Sequence, residues 1–536
     1  MVLQTLFEKG RVAAEELNGT HVVVGALLIP VTLMALQRAY TALTKKDDTV
    51  SVHKPLFRPS TTLPWLENTI DFAGRVARFH HWMVEVCTEG QGRPVQLRSL
   101  GQPPIVIVST PELVEDVMKT QFDAFPKGEQ QCELVGGIVG DGIFAADGVK
   151  WARQRKTASH LFTARTLRES MTATMRKHTA VLLRILQCSQ QTGQSIDLFN
   201  LLNRFTIEAF SEIGFGIQMN CVEAEEEHPF QSAFDGAQRT IVLRFMVPPW
   251  FWKAQRFLGV GSEGQFKKDL KVIDDTVLGI IAQSIERRQR NGNVSSSVDL
   301  VSLFLDHFDK SSENEGEEVD VRYLRDVIVS FLIAGRDTTA QAISWFFLSI
   351  HREPLVAHKI RREIQTMLPE LYNGKVETPT MEQVQQLTYL EATLKETLRL
   401  YPSVPCLPKS ADRDVVLCDG SFIKKGSRVA IPAYAMGRMP YIWGPDAEEF
   451  KPERWIDPET GKIIPVSPFK FFSFNAGPRM CLGMNLALLE MKIVAASVLS
   501  RFEISVLNDK EVTYDFSMTL PVLGAMRVDV DNVSKS

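Results

Sequence analysis

Several features that would assign a role at once are missing from this chain. Its seven cysteines (87, 132, 188, 221, 406, 418 and 481) form no Cys-x-x-Cys pair, no His-linked zinc spacing and no even disulfide framework. They read as reduced thiols facing the cytosol. A formal net charge of −4 supplies no basic field, so nucleic acid is excluded as an evident partner. No glycine-rich flavin or nicotinamide fingerprint is present, and any redox chemistry must draw its electrons from another protein. No low-complexity linker divides the 536 residues, although the length alone suggests about three domains. The hydrophobic fraction of 44% is ample for one large core instead. Proline, finally, is absent from Tyr323 to His351, a run long enough to cross a domain.

What is present centres on Phe474-Asn-Ala-Gly-Pro-Arg-Met-Cys481-Leu-Gly483. Leu486, Leu489, Ile493 and Val494 follow at helical spacing, which predicts a helix with Cys481 at its N-terminus. Amide N–H groups there lower a thiol pKa, and a thiolate is what binds a metal. Gly477 permits a turn closed to residues with a side chain, while Gly483 leaves room for something flat. Arg479 offers a cationic fork suited to a carboxylate. A buried, inert cysteine is the bland alternative, but the whole ten-residue spacing suits a haem held through Cys481, with a propionate on Arg479.

At these residues the chain resembles the haem-binding loop of the cytochrome P-450 superfamily, the haem-thiolate monooxygenases. The resemblance implies that Cys481 is the axial ligand of heme b (iron protoporphyrin IX), that Phe474 shields its sulfur, and that Arg479 pairs with a propionate. Trp151 and Arg155, opening a basic helix, match the family pair that holds a haem propionate. The segment from 121 to 150, rich in glycine and turn formers, reads as a long irregular loop.

The proline-free run is apolar all round and therefore buried, yet Ala334-Gly-Arg-Asp337-Thr338-Thr339 stands in its middle, where polar residues should be excluded unless used. Thr338, Ala334 and Phe331 share a face at i, i−4 and i−7. The stretch matches the family's acid and alcohol pair. Thr338 would hold oxygen, Asp337 would feed protons, and Gly335 would loosen the helix; the competing reading is that Thr338 bonds back to a carbonyl one turn earlier. Phe331, Ala334, Val404 and Leu520 fall where the family contacts substrate. Glu396, Arg399 and Arg454 match a buried structural network. The strings Ala-Gly-Arg-Asp-Thr-Thr, Leu400-Tyr-Pro-Ser-Val-Pro405 and Arg256-Phe-Leu-Gly-Val-Gly resemble the membrane-bound fatty-acid ω-hydroxylases of plants and fungi. Animal ω-hydroxylases carry at the Ala334 position a glutamate that esterifies the haem; Ala334 cannot, so the haem should be extractable.

From Gly19 to Leu36 the chain is almost uninterruptedly apolar, which reads as a membrane span, with Lys45 and Lys46 keeping the bulk cytosolic. Pro55, Pro59 and Pro64 then mark a stiff hinge. The organisation expected is a tail and anchor at 1–46, a proline-rich hinge at 47–66, and a mainly α domain with small β-sheets at 67–536, held single-pass at the endoplasmic reticulum membrane. The implied reaction is R–H + O₂ + NADPH + H⁺ → R–OH + H₂O + NADP⁺, with electrons from an NADPH-cytochrome reductase and cytochrome b5 as an optional second donor. Lys150, Arg153 and Lys156 would belong to the docking face. The aromatic segment Arg244–Trp252 reads as a membrane-facing lip, and Arg244, Lys253 or Arg256 would meet a substrate carboxylate at the channel mouth. Rival readings are an alkane, sterol or xenobiotic substrate, a peroxide-dependent haem enzyme, and a haem sensor; the last two have no use for Asp337 and Thr338.

Overall fold

The computed structural model describes residues 53–224, 227–290, 299–310 and 320–533. The apolar run at Gly19–Leu36 lies outside them, as does most of the acidic stretch 309–318. Among the described residues no helix is long and apolar enough to cross a membrane.

The helices that position the site are α1 (Phe79–Gly90), α2 (Glu129–Val139), α3 (Gly148–Ser159), α4 (Leu198–Phe215), α5 (Pro229–Met246), α6 (Pro249–Leu258), α7 (Gly261–Arg290), α8 (Val321–Arg352), α9 (Thr388–Leu400) and α10 (Met484–Leu499). The strands are short: β1 (Val95–Leu97), β2 (Ile105–Ile107), β3 (Leu407–Ser410), β4 (Arg428–Ile431), β5 (Phe502–Val506) and β6 (Arg527–Asn532). They give a four-stranded sheet in the order β1-β2-β4-β3, parallel only between β2 and β4, and an antiparallel β5-β6 pair extended by Ile196–Asp197. Val415–Val416 and Phe422–Ile423 form a third, two-stranded piece. From Lys54 onward the proline-punctuated stretch is bound to this body: Lys54 bridges Ser421, and Phe57 bridges Val95.

Helix α8 is the central beam. Asp320 caps it, accepting from the amides of Arg322 at 2.9 Å and Tyr323 at 3.1 Å, and Pro354 follows its end. Where α4 crosses it, a Cβ on Gly335 would lie 2.1 Å from the Phe210 ring. Gly335 is thus there to let Phe210 pack close, and the helix runs through it unbroken; the expected loosening is not what this glycine does. Thr206 Oγ1 seals the crossing with a 2.8 Å bond to the Arg336 carbonyl.

The segment 121–150 is more ordered than its glycines suggest, since it contains α2. Gly137 in that helix faces the Phe266 ring of α7 at 2.8 Å from a would-be Cβ; close helix packing, not loop chemistry, accounts for it. The two prolines of Val247-Pro-Pro break the chain between α5 and α6, as their chemistry requires.

Glu396 and Arg399 on α9 are fully buried. Arg399 Nε and Nη2 donate to the two carboxylate oxygens at 2.7 and 2.8 Å. The same carboxylate accepts from Trp455 Nε1 at 2.9 Å, Lys451 N at 2.8 Å and Arg454 Nε at 3.4 Å. Arg399 also donates to the carbonyls of Gly437, Ala447 and Glu449, which pins the irregular chain before the cysteine loop. Removing one partner strands the other charge. Glu396→Ala should therefore lower stability by about 3–5 kcal/mol in urea unfolding followed by circular dichroism; a loss within the ~1 kcal/mol of a surface pair would show that the network is not a unit.

Candidate active site

The cysteine loop is shaped by its glycines. Gly477 has φ +62°, and a Cβ there would stand 2.4 Å from the Met118 carbonyl oxygen. The Cys481 amide donates to the Phe474 carbonyl at 2.9 Å, closing the loop. Helix α10 begins at Met484 with Gly483 as N-cap, so Cys481 lies two residues before the cap. A Cβ on Gly483 would face Phe162 at 3.7 Å and Cys481 Sγ at 3.9 Å, which puts its open side beside the sulfur.

The thiol is accessible to solvent, yet burial pushes its pKa up against the pull of the Gly483 amide and Arg155. It faces a recess within the protein, not the outer surface. Desolvation thus opposes the pull of the helix end toward thiolate. A coordinated cation deprotonates a thiol outright, and that charge is what iron would supply.

At the edge of the recess several cations gather. Arg479 Nη2 donates to the Ala146 carbonyl at 3.0 Å and to Asp147 Oδ1 at 2.5 Å, and its guanidinium lies 4.3 Å from the Trp151 ring centre. Its Nε is buried without a hydrogen-bond partner. Arg155 stands 5.9 Å from the same ring, so both guanidiniums border one indole. Two lysines that motif reasoning missed join them. Lys409, in β3, is buried with no hydrogen-bond partner at Nζ; burial and the nearby Lys127 and Arg479 hold its pKa down to about 7. Burial and Arg479 likewise lower Lys127 to about 8. This donor set fits a haem: Cys481 would ligate the iron, and Arg479, Arg155 and Lys409, whose Nζ has no hydrogen-bond partner, would meet its propionates.

On α8, every residue from Leu324 to Ile350 is buried except Ala334, Gly335 and Thr338. Ala334 and Thr338 thus open onto a recess from one face, as the spacing predicts. Phe331, on the same face, is 6% exposed and stacks on Phe162 with ring centres 6.5 Å apart, which links it to the Gly483 side. Thr338 Oγ1 donates to the Ala334 carbonyl at 2.7 Å, and Ser403 Oγ donates to the Thr338 carbonyl at 2.7 Å, bringing the neighbouring Val404 alongside. Leu520 is wholly enclosed, held by Gln341 Oε1 at its amide (3.0 Å) and Trp345 Nε1 at its carbonyl (2.8 Å); it backs the wall instead of lining it.

Asp337 points elsewhere. Its carboxylate accepts from Gln238 Nε2 at 2.7 Å and pairs with Arg336 at 3.0 Å, while Thr338 has its own partner. Burial pushes Asp337 up to about 6 against the pull of Arg336. Arg244 also departs from expectation: it is sealed in a two-pronged pair with Glu263 at 2.7 and 2.8 Å, between the rings of Trp252 and Phe266. It does not stand at a channel mouth. Facing inward from the last turn of α5, it fastens α7, whereas Lys253 and Arg256 remain exposed on α6.

A family model described as Cytochrome P450 matches residues 58–525. Cytochrome P450 86B1 of Arabidopsis thaliana is 36% identical over 440 residues, covering 80% of this chain and 78% of the relative. Cytochrome P450 94B1 of the same plant is 33% identical over 512 residues, covering 94% and 96%. Cytochrome P450 monooxygenase cyp1 of the fungus Mycosarcoma maydis is 34% identical over 425 residues, covering 78% and 65%.

The buried, unpartnered Lys409 generates a prediction. Lys409→Met should release haem about 10- to 100-fold faster, the equivalent of one lost charged hydrogen bond, in a transfer assay to a haem-free globin. An unchanged release rate would leave Lys409 without a role at the haem edge.

Proposed function

Because this chain belongs to the cytochrome P450 family and is a haem-thiolate monooxygenase, we propose that it hydroxylates long-chain fatty acids at or near their methyl end. The observation that carries the reading is the opening on α8: along its buried length Ala334 and Thr338 keep partial exposure on one face, flanked by Phe331. Such a face suits an alkyl chain and offers a carboxylate nothing. The likeness of the Ala334–Thr339 and Leu400–Pro405 strings to ω-hydroxylases supports it further.

The haem supplies oxygen activation when bound, with electrons passed from NADPH through a reductase. The protein's own residues do the rest. Cys481 ligates, Phe474 and Gly483 set the surroundings of the sulfur, and Trp151, Arg155, Arg479 and Lys409 fix orientation at the edge. Thr338 presents a hydroxyl inside the recess, and Asp337, whose affinity for a proton is raised by burial, supplies protons from the polar side of the helix. Phe331 and Val404 narrow the space so that a chain end enters alone. Glu396, Arg399 and Arg454 hold the loop chain in place. Arg256 and Lys253, the latter already paired with Glu133 at 2.7 Å, are the exposed cations of α6 that would meet a carboxylate at the rim.

The run Gly19–Leu36 would anchor the protein in the endoplasmic reticulum membrane with the body in the cytosol. The exposure of Phe257 (89%), Leu258 (67%) and Trp65 (67%) supports a lipid-facing edge. The segment after Trp65 is tied to the turn before α6, since Gln102 Nε2 donates to the Val247 carbonyl at 2.8 Å and Leu100 N to Thr69 Oγ1 at 3.0 Å. Exposed Arg153 and Lys156 on α3 suit a reductase, with cytochrome b5 as a second donor.

Incubation with reductase, NADPH and a C12 to C18 acid series, with the hydroxyl located by mass spectrometry, tests the substrate. No turnover of any acid would sink it while leaving the haem chemistry intact. Phe331→Ala should move oxidation inward along the chain, and an unaltered product pattern would remove Phe331 from the restriction. Thr338→Ala should keep haem and substrate binding but form less product per NADPH, as electrons are lost to peroxide and water; an unchanged ratio in both Thr338→Ala and Asp337→Asn would contradict the relay.

A further inference from the structure

Asp337 lies at the floor of a polar cleft on the side of α8 away from its apolar opening. Residues from α4, α5, α8 and the 514–522 hairpin line this cleft. Its rim reaches solvent, since the side chains of Arg239 and Asp235 are 72% and 43% exposed, whereas that of Asp337 is 4% exposed. The charged groups facing it are Arg336 on the same helix, Asp235 and Arg239 on α5, Glu227 just before α5, Asp197 at the head of α4, and Asp515 on the hairpin.

One uncharged side chain bridges the acid and the hairpin. Gln238, on α5, is buried. Its Nε2 donates to Asp337 Oδ2 at 2.7 Å, and its Oε1 accepts from Ser517 Oγ at 3.2 Å. The hairpin carrying Ser517 closes through the Asp515 amide on the Pro521 carbonyl at 2.9 Å. It is fixed to α8 by Gln341 Nε2 on Thr519 Oγ1 at 2.9 Å, and to the Ser403–Val404 segment by the Leu520 amide on the Ser403 carbonyl at 3.1 Å. A chain that presses on Val404 therefore reaches Ser517 through a few covalent and hydrogen bonds.

We propose that Gln238 is a positioning residue that ties proton supply by Asp337 to the 514–522 hairpin. An amide has one donating and one accepting end, and a serine hydroxyl takes either role. With Asp337 ionised, the amide donates to it and accepts from Ser517, as observed. With Asp337 protonated, the amide turns over: the acid donates to Oε1 and Nε2 donates to Ser517 Oγ. Both states keep the Gln238 amide hydrogen-bonded at each end, to the Asp337 carboxyl and to Ser517, so one proton moves on and off Asp337 with the bridge intact. Arg336, shared with Asp235 at 2.8 Å, keeps its charge in either state.

The inference rests on the Asp337–Thr338 relay reading, so its test is read first without turnover. In the full-length ferric protein, the carboxylic-acid infrared band absent from Asp337→Asn reports the protonation of Asp337. Gln238→Met removes the donor to the ionised form, and the band's midpoint should rise by about one pH unit. Ser517→Ala should raise it by less, and the double variant should match Gln238→Met alone. Product per NADPH against pH, measured with reductase and a C12 acid, should show the same displacements, while the ferrous carbonyl spectrum reports an intact haem site in each variant. An unmoved band midpoint in Gln238→Met overturns the proposal, as does a Ser517→Ala variant whose turnover falls with its midpoint in place. A moved band with no acid turned over upholds the coupling and rejects the fatty-acid reading.

Discussion

A fully buried carboxylate cannot persist without donors, and Glu396 has five: two from Arg399, and one each from Arg454, Trp455 and the Lys451 amide. That constraint organises the proximal half of the molecule. Arg399 spends its remaining N–H groups on carbonyls of the chain from Gly437 to Glu449, and Ser473 Oγ reaches back to the Leu398 carbonyl at 2.7 Å. The loop that presents Cys481 thus has a rigid footing, although it has almost no regular structure of its own. The pair's contribution is geometric: a well-packed apolar replacement is often as stable as a buried ion pair, but it would not hold three carbonyls at fixed points.

The residues legible in the sequence are those whose role is set by near neighbours along the chain. The α8 face of Phe331, Ala334 and Thr338 follows from helical spacing alone. The Cys481 loop follows from its glycines, and the break between α5 and α6 from Pro248 and Pro249. What was not legible depends on long-range pairing. Lys127 and Lys409 are isolated lysines in strings with no helical or strand period. They meet because the Ser410 amide donates to the Pro126 carbonyl at 3.0 Å, and Ser410 Oγ to the Lys127 carbonyl at 3.2 Å. The place of Arg244 is likewise set at a distance, since its partner Glu263 sits on the next long helix.

Two electrical environments meet across one helix. The cysteine side is cationic: Lys127, Arg155, Lys409 and Arg479 face Asp147. The Asp337 side carries more acids than bases around its cleft. Such opposed fields would draw an anionic cofactor edge to the one and an incoming proton to the other.

The hydrogen bond from Thr338 to the Ala334 carbonyl has a directional consequence. A hydroxyl owns one proton, and this one is already committed at 2.7 Å, so toward the recess Thr338 presents lone pairs. An alkyl chain has nothing to give them, but the alcohol made from it does. Product thus gains a contact, worth about 0.5–1.5 kcal/mol, that its parent could not make.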